Sequence, residues 1–289
     1  MHTEDSISAL QEETSGTGGG NPPVGTPGSY RGQGPIWQGD LFFALSSLIV
    51  KDFRIRYRNM SLGVFWSLLN PIIMMGVLTF VFTKVNPNNS VPHFPLFLLY
   101  GIVPFNFFTA AWSSGTNSLV DNAGLVKRVP IPREIIPVAA VLSNCLHLLI
   151  QIGLLFFLSF ASGYSVNRYW IWLPYLWTME VIFICGLSFF TSAINVYVRD
   201  TRYVVESINT VMFWMVGIFY NLSIVPQIYR LLYQLNPVAA LILAMRNIII
   251  DGHAPRWQLL VQLTGVSLFA FLACFIVFQR LKRRFYDHL

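Results

Sequence analysis

Residues that could carry out chemistry are few in this sequence. It contains no Gly-x-x-x-x-Gly-Lys-Ser/Thr phosphate loop, no His-Glu-x-x-His zinc motif, no Cys-x-x-Cys pair and no Gly-x-Ser-x-Gly nucleophile turn. Within its long apolar runs the acid and imidazole side chains are those of His147, Glu180 and Glu206, fewer than an ion or proton relay needs. We interpret His147 as a packing residue. We expect no catalytic site, metal or cofactor on this chain, so any nucleotide energy must come from another chain.

A cationic loop is the strongest candidate for contact with a partner protein. Residues 121–133 hold Lys127 and Arg128, and two prolines stiffen their backbone. This composition suits a short helix that pushes against a partner. The same charges could instead only set the orientation of the neighbouring spans, with Glu134 starting the next helix.

The elements that position these residues are long apolar helices. Hydrophobic residues make up 54% of the chain and charged residues 11%, whereas soluble domains carry roughly 25% charged residues. Runs of about 20 apolar residues can cross a hydrocarbon core of about 30 Å. Such runs predict transmembrane helices at residues 62–83, 96–117, 134–161, 171–196, 203–221 and 257–279. The expected fold class is an all-α membrane protein whose six transmembrane helices form one domain, residues 61–289.

Two segments precede the first span. Residues 1–36 are rich in Gly, Pro, Ser and Thr, which predicts a disordered cytoplasmic tail and not a secretory signal peptide. Residues 37–60 predict an amphipathic helix at the membrane interface, which we favour over a solvated charged linker. Arg56 lies off the polar face of this helix. At 100° per residue, its apolar face carries Phe42, Ile49, Phe53 and Met60, and its polar face carries Lys51, Arg54 and Arg58.

The distribution of positive charge predicts the orientation of the chain. Of the 19 Lys and Arg residues, 14 fall on one side of the six spans and 5 on the other. The positive-inside rule then places both termini in the cytoplasm. The basic residues sit at the ends of apolar runs and form no stripe on a soluble domain, so we expect contact with membrane lipid and no nucleic acid partner.

The segment from residue 222 to residue 255 is the least ordinary part of the sequence. It is too apolar for a solvated loop, yet Pro226, Arg230 and Asn236-Pro237 divide it into pieces too short to cross a membrane. We favour two short re-entrant helices between the fifth and sixth spans, packed against protein. The alternative is a seventh, broken span, which would place the basic carboxyl terminus outside.

Three stretches together resemble a known family. The first is Lys51-Asp52-Phe53-Arg54-Ile55-Arg56-Tyr57-Arg58, followed by Ser61-Leu62-Gly63, Trp66 and Asn70-Pro71. The second runs from Asn122 to Pro137 and contains Pro132-Arg133-Glu134. The third comprises Asp200, Ile218-Phe219-Tyr220, Leu235-Asn236-Pro237 and Arg246. Their order across a six-span profile is similar to that in the polysaccharide-export branch of the ABC-2 type transporter permeases, which includes the O-antigen, capsule and teichoic acid exporters.

The resemblance implies a transport subunit and not an enzyme. It implies a homodimer of this chain in the cytoplasmic (inner) membrane with two copies of an ATPase subunit, which binds ATP and Mg²⁺, and a lipid-linked glycan as the exported substrate. Contact with the ATPase is implied for Asn122, Leu125, Lys127, Arg128, Arg133 and Glu134. Lys51, Arg54 and Arg58 either contact the same ATPase or attract anionic lipid.

A conduit for sugars needs aromatic faces, and polar groups that exchange hydrogen bonds with hydroxyls. Two spans offer such residues on one helical face. The predicted lining residues are Trp66, Asn70 and Phe80 in the first span and Asn209, Phe213 and Tyr220 in the fifth. Each ring could equally well pack against lipid or a neighbouring helix. A kink before Phe219 must come from Gly217 or be mild.

The re-entrant helices are expected to form an outer gate through Asn236, Pro237 and Arg246, where Arg246 either meets phosphate or uronate groups or reaches towards the interface. Two other functions remain as alternatives. One is an ABC-2 exporter of a small lipid or drug. The other is a membrane-embedded transferase or secondary carrier, which would need carboxylates or an ion site that the sequence does not offer.

Overall fold

The computed structural model describes residues 40–58, 63, 65–85, 93–128, 131–221, 225–282 and 285, and it leaves out the side chains of Arg128, Leu231 and Leu232. The predicted disordered tail therefore lies outside the described residues. Within them every regular element is helical, which confirms the predicted all-α class. The described part is a multi-pass membrane protein.

The helices follow the chain with short connections. α1 is Leu41–Tyr57, and α2 is Phe65–Phe80 with a π-helical continuation at Val81–Val85. α3 is Phe94–Asp121, α4 is Ala123–Arg128 and α5 is Ile135–Ala161. A 3₁₀ turn, Arg168–Trp172, leads into α6, Leu173–Tyr197. α7 is Thr201–Met215, α8 is Gln227–Leu235, α9 is Pro237–Ile249 and α10 is Trp257–Leu281.

Five of the six predicted spans are long and apolar enough to cross a membrane: Phe65–Val85, Phe94–Asp121, Ile135–Ala161, Arg168–Tyr197 and Trp257–Leu281. The predicted fifth span, 203–221, differs. Its helix, α7, has 15 residues and is about 22 Å long, shorter than the hydrocarbon core. Gly217 ends it early, because its φ of 75° lies in the left-handed region. The expected kink at Gly217 is therefore confirmed.

Contacts with α3 show how far α7 and its turn extend. Asn209 donates to Ser113 Oγ at 3.4 Å, and the ring centroids of Phe213 and Phe105 lie 5.5 Å apart. Farther on, a Cβ built on Gly101 would lie 3.1 Å from the Cα atom of Ile218. The partner numbers on α3 fall as the numbers on α7 rise. α7 and its turn therefore run antiparallel to α3 to within a few residues of its start.

α3 is the centre of the bundle. It packs against α2, α5, α6, α7 and α9, and most of its span is buried. The apolar side chains that surround it form the main core, which includes Leu99, Phe108, Leu155 and Ile184. In contrast, α2 and α10 leave most of their apolar surface uncovered. Their faces are left for lipid or for another chain.

α1 begins at Asp40, whose carboxylate accepts a hydrogen bond from the backbone nitrogen of Phe42 at 2.9 Å. Ala44 and Leu48 are its buried residues, whereas Phe42 is 77% exposed. The face turned to the bundle therefore includes Ile49 of the predicted apolar face, which packs against the core, but not Phe42. Arg56, the residue that broke the predicted pattern, also turns inward. α1 packs along α5 and does not lie clear of the bundle as a surface helix would.

The two short helices predicted in the outer segment are present as α8 and α9, which meet at an angle of 101°. Tyr233 donates to the carbonyl of Val216 at the end of α7. Asn167, in the connection after α5, donates to the carbonyl of Ile248 at 2.7 Å. Arg246 reaches the start of α3. These contacts keep α8 and α9 at one end of the bundle, the Arg246 end, which favours a re-entrant pair over a broken span.

Candidate coupling and conduit sites

The predicted coupling loop forms a short helix, α4, at the end of the bundle opposite Arg246. Val126 attaches this helix to the bundle, since it is buried in a cluster with Leu48, Ile136 and Phe278. Lys127 is exposed and Leu125 is half-buried. The side chain of Arg128 lies outside the described residues. α4 therefore presents Lys127 on a base that Val126 holds in place.

Lys51 and Asn122 come together across 71 residues of sequence. Lys51 Nζ donates to Asn122 Oδ1 at 2.5 Å and pairs with Asp52 at 3.1 Å. Asn122 Nδ2 donates to the carbonyl of Ser118 at 2.8 Å, so Asn122 also closes the end of α3. The contact joins α1 to the residue before α4. Arg54 and Arg58 point away and are exposed, which leaves both free to meet a partner or lipid headgroups.

Arg133 and Glu134 bind the carboxyl-terminal end of the chain. Arg133 Nη1 donates to the carbonyl of Lys282 at 2.5 Å, and its guanidinium lies 5.7 Å from the ring centroid of Phe285. Glu134 accepts from Gln279 at 2.8 Å and forms an ion pair with Lys282. We call these five residues the C-terminal latch. Both predicted contact residues are thus half-buried and engaged within the chain.

The latch also shifts the ionisation of Glu134. Partial burial acts to raise its pKa, but the hydrogen bonds from Lys282 and Gln279 outweigh that effect and hold the pKa below its ordinary value. Glu134 is therefore charged at neutral pH. Gln279 and Lys282 were missed in the sequence because they lie about 150 positions from their partners, and a basic end to a final span is already explained by membrane topology.

Two of the predicted conduit residues flank a hollow of about 270 Å³ between α3 and α7. It is lined by Asn209, Phe213, Phe105, Thr109, Thr210 and Trp214. Asn209 Oδ1 is buried and has no hydrogen-bond partner among the described residues. The hollow therefore has an aromatic face, and the hydroxyls of Thr109 and Thr210 are polar groups among its lining residues, a combination suited to a sugar.

The other predicted conduit residues lie apart from this hollow. Trp66, Asn70 and Phe80 lie along α2 with exposed side chains. Tyr220 donates to the carbonyls of Trp214 and Met215, at 3.3 and 3.0 Å, and so helps to close the turn after α7. α2 and α7 both pack against α3. Within one chain, the two helices meet where the Phe82 ring stacks on the Phe219 ring, with centroids 5.3 Å apart, while Trp66 and Asn70 lie farther along α2.

The predicted outer-gate residues stabilise the structure of the outer segment that contains α8 and α9. Asn236 Oδ1 accepts from the backbone nitrogen of Val238 at 3.1 Å and caps α9, with Pro237 as its first residue. Arg246 is 5% exposed. It donates to the carbonyls of Gly217, Phe97 and Ile218 at 2.9, 3.0 and 2.7 Å. Its guanidinium also stacks on the Phe97 ring, 3.5 Å from the centroid. Arg246 thus neither reaches the interface nor faces a ligand.

A polar cluster that the sequence analysis did not assemble lies between α1, α3 and α5. Arg56 donates to Asn144 Oδ1 at 2.6 Å and to Ser114 Oγ at 3.1 Å. Tyr57 and His147 share a hydrogen bond one helical turn away, which agrees with a packing role for His147. The sequence did contain one signal of this cluster, because Arg56 lies off the polar face of α1.

Glu180 lies in α6, fully buried, and its carboxylate has no hydrogen-bond partner among the described residues. Within the described part of the chain, no group of three His, Cys, Asp or Glu side chains is close enough to hold a metal ion. The polar side chains described above are suited to hydrogen bonding and charge contact.

Comparison with known proteins agrees with this architecture. Residues 44–250 match the ABC-2 type transporter family. An O-antigen export system permease protein, RfbA, of Klebsiella pneumoniae is 28% identical over 253 residues, which cover 87% of this chain and 96% of that relative.

Two further relatives extend the match. RfbA of Myxococcus xanthus is 27% identical, with 85% of this chain and 95% of that protein covered. The polysialic acid transport protein KpsM of Escherichia coli is 22% identical, with 80% and 90% covered. Because the family match extends over most of the sequence, from α1 to the end of α9, the chain belongs to the ABC-2 type transporter family.

Proposed function

We propose that this chain is the membrane subunit of an exporter that moves a lipid-linked polysaccharide, of the O-antigen, capsule or teichoic acid type, across the cytoplasmic membrane. The observation that carries the proposal is the match to the O-antigen export permease, which covers 96% of that relative and 87% of this chain. The relative named for polysialic acid transport supports the same substrate class.

The energy for export comes from a separate ATPase that binds ATP and Mg²⁺. The sequence has no phosphate loop of its own. Lys127, Arg54 and Arg58 are exposed cations suited to contact with such a subunit. The Lys51–Asn122 hydrogen bond connects α1 to α4 and would let both elements respond to one movement.

Two copies of the chain act with two ATPase subunits. The proposed lining residues Trp66 and Phe80 on α2 are exposed, and a two-fold axis would allow the lining of one copy to face that of the other across a shared conduit. Large exposed side chains along both helices, including Phe65, Ile73, Val211 and Trp214, provide apolar surface for such an interface.

The termini lie in the cytoplasm. The C-terminal latch holds the end of α10 beside the start of α5 and close to α4 in the bundle, so the cationic loop and the basic carboxyl-terminal segment share one side. The positive-inside rule makes that side cytoplasmic.

Reconstitution tests the proposal. Proteoliposomes with the chain and its partner ATPase, loaded with lipid-linked glycans on the cytoplasmic face, should make the glycan accessible on the opposite face when ATP is added. A permease without its ATPase should show no such transfer. Transport of small lipids or drugs but of no glycan would favour the alternative exporter.

The conduit assignment has its own test. Alanine at Phe213 removes the aromatic face of the hollow between α3 and α7, and we expect glycan transfer to slow several-fold while the protein remains folded. The matched control is Phe157→Ala, since Phe157 is a 68% exposed ring on α5 outside the proposed lining. Equal transfer rates for both variants and the wild type would contradict the assignment.

A further inference from the structure

Arg56 lies where a cation is costly. Its hydrogen-bond partner Asn144 is nine residues beyond the start of α5, which is about 13 Å along a helix. Its other partner, Ser114, lies seven residues before the end of α3, or about 10 Å. The guanidinium therefore lies beside the interior of two membrane-spanning helices and not at their ends.

No carboxylate neutralises this charge among the described residues. The ion pairs there join Lys51 to Asp52 and Lys282 to Glu134, and the two hydrogen-bond partners of Arg56 are neutral. An unpaired cation at membrane depth is expensive to desolvate, so such residues mark substrate or ion pathways. Arg56 is half-buried, and part of its side chain faces outward from the chain. The side chain of Arg56 is therefore not sealed inside the chain.

The groups around Arg56 also suit a polar ligand. Ser113, the neighbour of Ser114 on α3, accepts from Asn209 in the hollow between α3 and α7. Tyr57 and His147, which hydrogen-bond to each other, add a hydroxyl and an imidazole one helical turn away. The Arg56 cluster and the hollow thus lie at the same depth on two sides of α3. A molecule that carries an anionic group and attached sugars would find a partner for the anion at Arg56 and partners for the sugars in the hollow.

We propose that Arg56 binds the phosphate or diphosphate that joins the glycan to its lipid, as the substrate enters from the membrane. This inference rests on the proposed function. Guanidinium groups suit the task because their planar fork of donors matches two phosphate oxygens at once. Asn144 and Ser114 hold the guanidinium in place and leave its remaining donors for the ligand.

A binding experiment with two matched lipids tests the proposal. The purified permease in phosphatidylcholine nanodiscs is titrated with a polyprenyl diphosphate and with the neutral polyprenol of the same length. The wild type should prefer the diphosphate. Arg56→Gln keeps hydrogen-bonding groups but removes the charge, and it should weaken diphosphate binding about tenfold or more with polyprenol binding unchanged. Arg56→Lys should lose less.

Arg199→Gln is the control, because Arg199 is an exposed cation in the connection between α6 and α7, and its diphosphate affinity should equal that of the wild type. Equal wild-type affinity for both lipids would overturn the proposal. So would an equal loss of both lipids in Arg56→Gln, since that marks a purely structural role. If Arg56→Gln does not purify as a folded protein, the preference of the wild type for the diphosphate and the affinity of Arg56→Lys decide whether the proposal holds.

A competition arm separates the substrate's phosphate from that of ordinary phospholipid. Phosphatidylglycerol added to the nanodiscs should not displace the polyprenyl diphosphate at equal concentration, and displacement would overturn the assignment. The assay uses neither ATPase nor glycan, so it is independent of the export test. If the protein exports a glycan but binds the diphosphate equally well without Arg56, this inference alone is overturned. If diphosphate binding depends on Arg56 but no glycan is exported, the proposed function alone is overturned.

Discussion

The two ends of the bundle use their charged side chains in opposite ways. At the Arg246 end, one buried guanidinium bonds three backbone carbonyls and joins the turn after α7 to the start of α3. At the opposite end, Lys127, Arg54 and Arg58 are exposed, and the Glu134–Lys282 ion pair is only half-buried. The first end is organised for a fixed shape. The second leaves its cations exposed, as the proposed contact with an ATPase requires.

The largest effect is expected at Arg246. Arg246→Met would leave the carbonyls of Phe97, Gly217 and Ile218 without this donor in a buried place, and we expect a loss of about 3 kcal/mol or more in the free energy of unfolding. Thermal unfolding of the purified protein in detergent measures it. Arg168→Met, an exposed arginine at the same end, is the control and should unfold like the wild type. An unchanged unfolding temperature for Arg246→Met would remove the contrast between the two ends.

The second effect is expected at Gly217. Its φ of 75° costs an L-residue about 1–2 kcal/mol, and an added Cβ would lie 1.7 Å from Tyr233 Oη. Gly217→Ala should therefore destabilise the protein by about 2 kcal/mol or more. Gly163→Ala separates the two causes, because Gly163 has a φ of 87° with open space around it. A smaller loss for Gly163→Ala than for Gly217→Ala is the expected result, and equal losses would show that the Tyr233 contact is unimportant.

The third effect concerns the C-terminal latch. Glu134→Gln should lower the free energy of unfolding by about 1 kcal/mol or less, since the pair is partly solvated. Because the folded-state pKa of Glu134 lies below its unfolded value, the ion pair contributes fully above the ordinary glutamate pKa. That contribution should disappear as the pH falls through the lowered pKa. Unfolding at several acidic pH values should show the wild type approaching Glu134→Gln.

A charge exchange checks that the ion pair, and not Glu134 alone, is responsible. Glu134→Lys combined with Lys282→Glu should recover part of the stability that Glu134→Lys loses by itself. Additive losses in the double variant would contradict the latch. Either outcome leaves the Arg246 end unaffected, because the two clusters share no residue.

The smallest effect on stability is expected on α4. Lys127→Glu combined with Arg128→Glu should leave the unfolding temperature unchanged, because Lys127 is exposed, but should lower transport-coupled ATP hydrolysis several-fold through charge repulsion at the partner surface. Lys84→Glu, an exposed lysine at the end of α2, is the control. If the double variant is expressed normally and its transport-coupled ATP hydrolysis is unchanged, the proposed coupling role of α4 is wrong.

Local patterns in the sequence predicted the elements well. Apolar runs located five of the six predicted spans, and the proline-flanked loop predicted α4. A backbone change at Gly217 was expected as a kink, and the structure shows that it ends the helix. These features depend on neighbouring residues, so a single sequence contains the needed information. The length of α7 was overestimated because apolar residues continue past the turn, and hydropathy does not register a change in backbone direction.

Long-range partners could not be predicted in the same way. Arg246 was identified as important, but nothing in its neighbourhood pointed to Phe97, which lies 149 positions away. Glu134 and Lys282 are 148 positions apart, and Arg56 and Asn144 are 88 apart. Such pairs depend on how the helices pack. A helical periodicity tells which residues share a face but not which helix covers it.

The bonds of Arg246 have a consequence for protein engineering. All three of its acceptors are main-chain oxygens, which every amino acid possesses, so the hydrogen bonds themselves do not depend on the side chains at positions 97, 217 and 218. The surroundings do, because the Phe97 ring stacks on the guanidinium and position 217 has a left-handed backbone that favours glycine. A chimera that takes residues 217–256 from one exporter and the remainder from another should therefore assemble if it carries an arginine at position 246, a glycine at position 217 and an aromatic residue at position 97. Because Ile218 closely approaches Gly101, the chimera also needs a glycine at position 101. The outer segment is thus an exchangeable module, provided that both parents retain the few residues that attach it to the bundle.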